Sequence, residues 1–329
     1  MELERTAREI DKAQIDASTP GSMTISFHSS ARCPEPTLVA ESLLQLVQRA
    51  QREHDLMLDP LRLILVTANL GEAVNFWNRE LGLPESGASS QAEGVAVGKH
   101  LCWGNDGDSA RSIIIIADYI AKAVTAGVPI AAATVTHELG HIHDEVARGL
   151  IRGFRQSRPC NLNDWPGICT EVAENAWCEY AAESIAVSDM TQEDLASLMV
   201  NDPTHLLASH KRIRQLVESS KIGQLDIPSL WSRSVTEVFD LFANLGRAAA
   251  RFPCAENGEQ ARSGFVDGAG EAACWKLTVE RLFNELNRLD ERTYAEWDTK
   301  RLEEIVALGF HGAGLIPIPI SGGLRVNFR

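Results

Sequence analysis

The chain has 329 residues, a formal net charge of −14, 44% hydrophobic and 23% charged residues. This is an ordinary globular balance for one large or two ordinary domains. The acidic excess disfavours sequence-independent nucleic-acid binding, which depends on neutralising phosphates with a basic surface.

Residues 1–16 read as a charged helical arm, and Ser18 to Ser22 as a break. Leu61 to Thr67 is a continuous apolar run with the character of a buried strand, and Leu70 to Leu81 is a helix with Ala73, Val74, Trp77 and Leu81 on one side. Gly94 to Gly98 is a short strand candidate. Ser112 to Ala117 holds four isoleucines in a row and is strongly β-prone; it follows an Asp/Gly-rich stretch from Gly104 to Ser109. This strand is a candidate for the edge of a binding cleft, although its composition equally suits a central strand. A helix over Tyr119 to Ala126 comes next.

Gly127-Val128-Pro129 then marks a turn and a helix start. In the helix that follows, Val135, Leu139, Ile142, Val146 and Leu150 recur at steps of three and four and form one apolar stripe. His137, Glu138, His141, Asp144 and Glu145 fall on the polar side, and Gly149, Gly153 and Pro159 mark where the helix can stop. His137-Glu138-Leu139-Gly140-His141 reads H-E-x-x-H. Two imidazoles four residues apart on a helix can reach one metal ion, and the glutamate beside the first can handle a water proton. The continuation lacks the downstream Gly and His of a metzincin, with Asp144 and Ala147 in their places.

A catalytic zinc needs a third protein ligand. After the turn residues Asn161 to Gly167 comes a helical stretch, Glu171 to Ala186, in which Glu171, Asn175, Glu179 and Glu183 share a face. Glu171, Glu174 and Glu179 are all candidates by residue type. Beyond about residue 190, helical stretches are expected near 203–219, 229–251, 269–289 and 293–308. The tail from Gly312 to Arg329 reads as irregular or as a short β element.

The H-E-x-x-H helix followed by a helix of the form E-x-x-A-x-x-x-A resembles the gluzincin-type zincins. It is most similar to metallopeptidases of the ImmA/IrrE type. The resemblance covers roughly residues 60–190 and implies an α+β, zincin-like core: a small mixed sheet, an active-site helix and a glutamate-bearing helix, here with a mainly helical C-terminal region. It also implies that His137, His141 and Glu179 bind Zn²⁺ and that Glu138 is the general base for a zinc-activated water. Glu183 falls where many gluzincins place a carboxylate that supports the first zinc histidine. The chain departs from the family in two ways. His141 and Glu179 are further apart than is usual, which implies an insertion over 151–170. Glu183 and Ile185 stand where the family has Asn or Asp and Phe.

The expected function is therefore a zinc-dependent peptide-bond hydrolase acting on a peptide or protein substrate. The alternative is a regulatory, partner-binding protein on a zincin scaffold, with metal bound for structure. The expected domains are a 1–22 arm and linker, a 23–200 zincin-like metallopeptidase domain, and a 201–329 helical domain that could recognise a specific protein partner. The residue that would stabilise an oxyanion is not identified by any motif; Tyr180, His143, His210 and His311 are candidates. Seven cysteines without a C-x-x-C pair, the lack of an apolar leader and the lack of a run of about 20 apolar residues all point to a cytoplasmic protein.

Overall fold

The computed structural model describes residues 23–28, 30–83, 97–103, 111–152, 161–269, 273–290, 298–320 and 323–328. The N-terminal arm, most of the Gly94–Gly98 candidate, the Asp/Gly-rich stretch, and Gly153 and Pro159 lie outside them. The chain divides into two compact units, residues 1–158 with 188–191, and residues 159–187 with 192–329. The described part is α+β, with a small mixed sheet in the first unit and a mainly helical C-terminal region.

The first unit runs β1 (Thr24–Phe27), α1 (Pro36–His54), β2 (Leu61–Thr67), α2 (Leu70–Leu81), β3 (Gly98–Trp103), β4 (Arg111–Ala117), α3 (Asp118–Thr125) and α4 (Pro129–Arg152). Its sheet has the order β1-β2-β4-β3. β1, β2 and β4 are parallel, and β3 is antiparallel to β4. Parallel strands are covered on both faces, so they are written as unbroken apolar runs. Leu63, Ile64, Leu65 and Val66 of β2 and Ile113 to Ile116 of β4 are all buried. This corrects the reading of residues 112–117 as a cleft edge. β4 is hydrogen-bonded to β2 on one side and β3 on the other, so among the described residues the edges are β1 and β3.

β3 alternates as an edge strand should. Leu101 faces the cluster formed by Leu63, Leu65, Ala73, Val74 and Trp77. His100 and Cys102 take the opposite face, where α4 packs.

α4 starts after Gly127, whose φ of 74° is a left-handed value that glycine adopts without a Cβ clash. Val135, Leu139 and Ile142 are fully buried, as the stripe predicts. Asp144 does not share the polar face expected for it. It is buried and bonded to Arg148 one turn later, at 2.7 Å, so the helix supplies its own counter-ion. The four residues 188–191 also belong to this unit. There Asp189 accepts hydrogen bonds from the buried Thr136 hydroxyl, immediately before His137, and from Arg49 of α1.

The second unit contains α5 (Trp165–Ala186), α6 (Gln192–Lys221), α7 (Ile227–Arg251), α8 (Gly258–Gly268), α9 (Ala273–Asp290), α10 (Lys300–Gly312) and a hairpin of β5 (Leu315–Ile320) and β6 (Gly323–Phe328). The Asp164 carboxylate caps α5 by accepting the Gly167 N–H at 3.2 Å. α5 is buried along most of its length, through Ile168, Val172, Ala173, Ala176, Trp177, Tyr180 and Ala186. It crosses α7 so closely that a Cβ on Gly246 would lie 2.3 Å from the Ala176 carbonyl oxygen. Trp231, Phe242, Trp275, Phe283 and Phe310 fill the rest of this core. Among the described residues, no single helix is long and apolar enough to cross a membrane.

Two substitutions test this packing. Gly246→Ala forces α5 and α7 apart and lowers unfolding stability by about 1–3 kcal/mol in a denaturant titration. Asp189→Ala leaves the Thr136 hydroxyl buried without that acceptor and costs about 1–3 kcal/mol, read in the same assay.

Candidate metal centre

His137, Glu138 and His141 lie on α4, in the first unit. The His137 and His141 rings are 4.7 Å apart at 89°, as i and i+4 side chains on one helix face should be. Glu138 is buried, with 8% of its surface exposed. It lies against Gly98, the first residue of the edge strand: a Cβ there would come within 3.0 Å of Glu138 Oε1. A side chain at position 98 would displace the Glu138 carboxylate, so a strand residue outside the motif helps to hold the motif's glutamate.

The row continues along β3. The His100 ring stacks on that of His141, with centroids 6.3 Å apart and planes at 15°. His100 Nε2 and Glu145 Oε2 stand 3.8 Å apart, and neither has a hydrogen-bond partner. Glu138, His141 and Glu145, at i, i+3 and i+7 of α4, thus meet Gly98 and His100 along the inner face of β3. Residues two apart on a strand advance about 6.6 Å, close to the rise of one helical turn, which keeps helix and strand in step.

Burial pushes the His100 imidazole down to about 4 and outweighs the attraction of Glu145. Burial and then the Glu145 charge push the Cys102 thiol far up, so the thiol is neutral in the metal-free protein. His143, a candidate for oxyanion stabilisation, accepts the Met57 N–H at Nδ1 and is also pushed down by burial.

Glu179 and Glu183 lie on α5, in the second unit. Arg247 Nε donates to Glu179 Oε2 at 2.6 Å, and Arg251 Nε donates to Glu183 Oε1 at 2.6 Å. Arg251 also donates to Asp202 at 2.9 Å, whose carboxyl is pushed up by burial. The oxyanion candidates of this unit are tied into its structure or exposed. The Tyr180 hydroxyl donates to Asn287, His210 Nδ1 accepts from Trp275 Nε1, and His311 is exposed.

Among the described residues, two sets of His, Cys and Glu side chains could hold a metal ion. One is His100, Cys102 and Glu145; the other is built on His137 and His141. Glu171 and Glu174 belong to neither set. Sequence reading missed the first set because its members come from a strand and a helix more than 40 residues apart, with no motif spacing to join them. The alternation of His100 and Cys102 along a strand was the one signal available. The chain matches no family model, no curated protein and no solved structure.

The depressed His100 sets a pH dependence for the metal-free chain. Below pH 6.5 the unfolded chain takes a proton on this imidazole, which the folded chain refuses until about pH 4. Folded stability is therefore complete above 6.5 and falls as the pH drops towards 4. The loss at this residue is of order 3 kcal/mol. His143 and His210 are depressed in the same direction. The check is thus the difference between wild type and His100→Gln in denaturant titrations with chelator, which should shrink the acid-side loss.

Proposed function

We propose that this protein is a zinc-dependent metallopeptidase in which His137, His141 and Glu179 hold the ion and Glu138 moves the proton. The observation that carries the reading is the front of α4. Two imidazoles stand on one helix face, and a buried glutamate beside the first of them lies against the edge strand β3. Glu179 is the third ligand that the resemblance implies, and nitrogen with oxygen donors suits zinc.

When bound, zinc supplies a Lewis acid that polarises a carbonyl and brings the pKa of a coordinated water towards about 7. Glu138 accepts the proton of the attacking water at a carboxylate oxygen and passes it to the departing amine nitrogen. Its burial against Gly98 limits the positions that the carboxylate can take. Among the described residues β3 pairs on one side only, with β4, and an extended peptide can add to such an edge through main-chain hydrogen bonds. Membership of the ImmA/IrrE-type group and a protein substrate are part of the same proposal.

Glu138→Gln keeps the shape of the side chain and removes the base. The variant should retain its zinc and lose peptide hydrolysis by about 10²–10⁴-fold in kcat. His137→Ala should lose one equivalent of zinc. Equal hydrolysis rates for wild type and Glu138→Gln, or a zinc content unchanged by His137→Ala, refute the assignment.

A further inference from the structure

Among the side chains that this reading does not use, one cluster stands out. His100 and Cys102 lie two residues apart on β3 and so project from the same face, towards α4 and Glu145. Both residues are held in register by β4, with His100 opposite Ile114 and Cys102 opposite Ser112. One ligand atom from each of His100, Cys102 and Glu145 lies within 4.8 Å of the other two.

The His100 side chain is 6% exposed, and its Nε2 has no hydrogen-bond partner. Glu145 Oε2 is likewise buried without one. Buried polar atoms are normally satisfied, so His100 Nε2 and Glu145 Oε2, on a carboxylate that otherwise meets the Cys102 thiol, call for an explanation. Their separation, 3.8 Å, is too long for a hydrogen bond. A histidine nitrogen and a carboxylate oxygen bonded to one tetrahedral zinc, each at about 2.0–2.2 Å, stand about 3.3–3.6 Å apart. The observed spacing is close to that of co-ligands.

We infer that His100, Cys102 and Glu145 form a second site for a thiophilic divalent cation such as zinc, distinct from the one built on His137 and His141. Imidazole, thiolate and carboxylate together suit zinc and its borderline neighbours and disfavour magnesium or calcium, which prefer all-oxygen sites. Binding releases the Cys102 proton to solvent and forms the metal–sulfur bond. Thiolate and carboxylate then balance the dication, so the half-buried site carries no net charge. The ion would join β3 to α4 one turn beyond His141, whose ring already stacks on His100. The inference does not depend on peptidase activity or on Glu179.

The full chain, stripped with chelator, is titrated with cobalt(II) and followed by absorption spectroscopy. The expected result is two equivalents bound, one of them giving a thiolate-to-cobalt charge-transfer band. Cys102→Ser should abolish that band and lose one equivalent, while His137→Ala should lose the other equivalent and keep the band. Wild-type protein without the band overturns the inference, as does a band that survives Cys102→Ser. If Cys102→Ser fails to fold by circular dichroism, Glu145→Gln replaces it. An affinity for the band-forming equivalent at least tenfold weaker supports the site, and an unchanged affinity overturns it. The peptidase reading fails on a separate result, when His137→Ala leaves both equivalents in place.

Discussion

The contact between α4 and the inner face of β3 is the constraint on which the first unit's chemistry depends. A helix has one stripe to bury. Val135, Leu139 and Ile142 spend it on the core, which turns Glu138, His141 and Glu145 away from them. Those three are not left in solvent. Gly98 makes room for Glu138, and His100 stacks on His141. Polar groups held this way lose water and gain fixed neighbours, the condition under which a carboxylate or imidazole can act on a bound ion or substrate. The strand is tied in turn by antiparallel pairing to β4, whose four isoleucines are fully buried.

The second unit solves a different problem. α5 is buried along half of its residues, and two of its carboxylates meet arginines of α7, Arg247 at Glu179 and Arg251 at Glu183. The Arg251 guanidinium bridges Glu183 and Asp202, so the charge is shared within a network. Removing one partner from a buried network leaves the others uncompensated, which costs more than the network contributes when complete. Glu183 is therefore placed first by its arginine. The sequence-based role for it, supporting a zinc histidine, has to coexist with that bond.

Much of this was legible from residue order. β2 and α2 have the bounds that periodicity predicts, because an unbroken apolar run and an amphipathic repeat flanked by Asn69 and Gly82 leave little ambiguity. The motif helix was legible for the same reason. α6 was placed late: Pro203 sits inside it, and a proline reads more naturally as a first-turn residue. β1 and α1 carried no expectation; the four residues of β1 give too short a pattern. β4 could not be placed at the edge or the centre from its isoleucines, because that distinction lies in its hydrogen-bond partners and not in its own composition. The His100, Cys102 and Glu145 cluster was illegible for a related reason: pairing between distant segments creates it.

Asp189 has a consequence of another kind. The residues that reach Thr136 and Arg49 lie after α5, so the chain leaves the first unit and returns to it for four residues before continuing. A ribosome making this protein delivers the sheet, α1 and α4 well before that clasp. Until residue 189 has emerged from the exit tunnel, Thr136 lacks that acceptor, and the motif helix has one anchor fewer. A fragment ending at residue 158 would keep every strand of the sheet and still be incomplete. The first unit is therefore contiguous in space and not in sequence, and one of its anchors is encoded after a helix that belongs to the second unit.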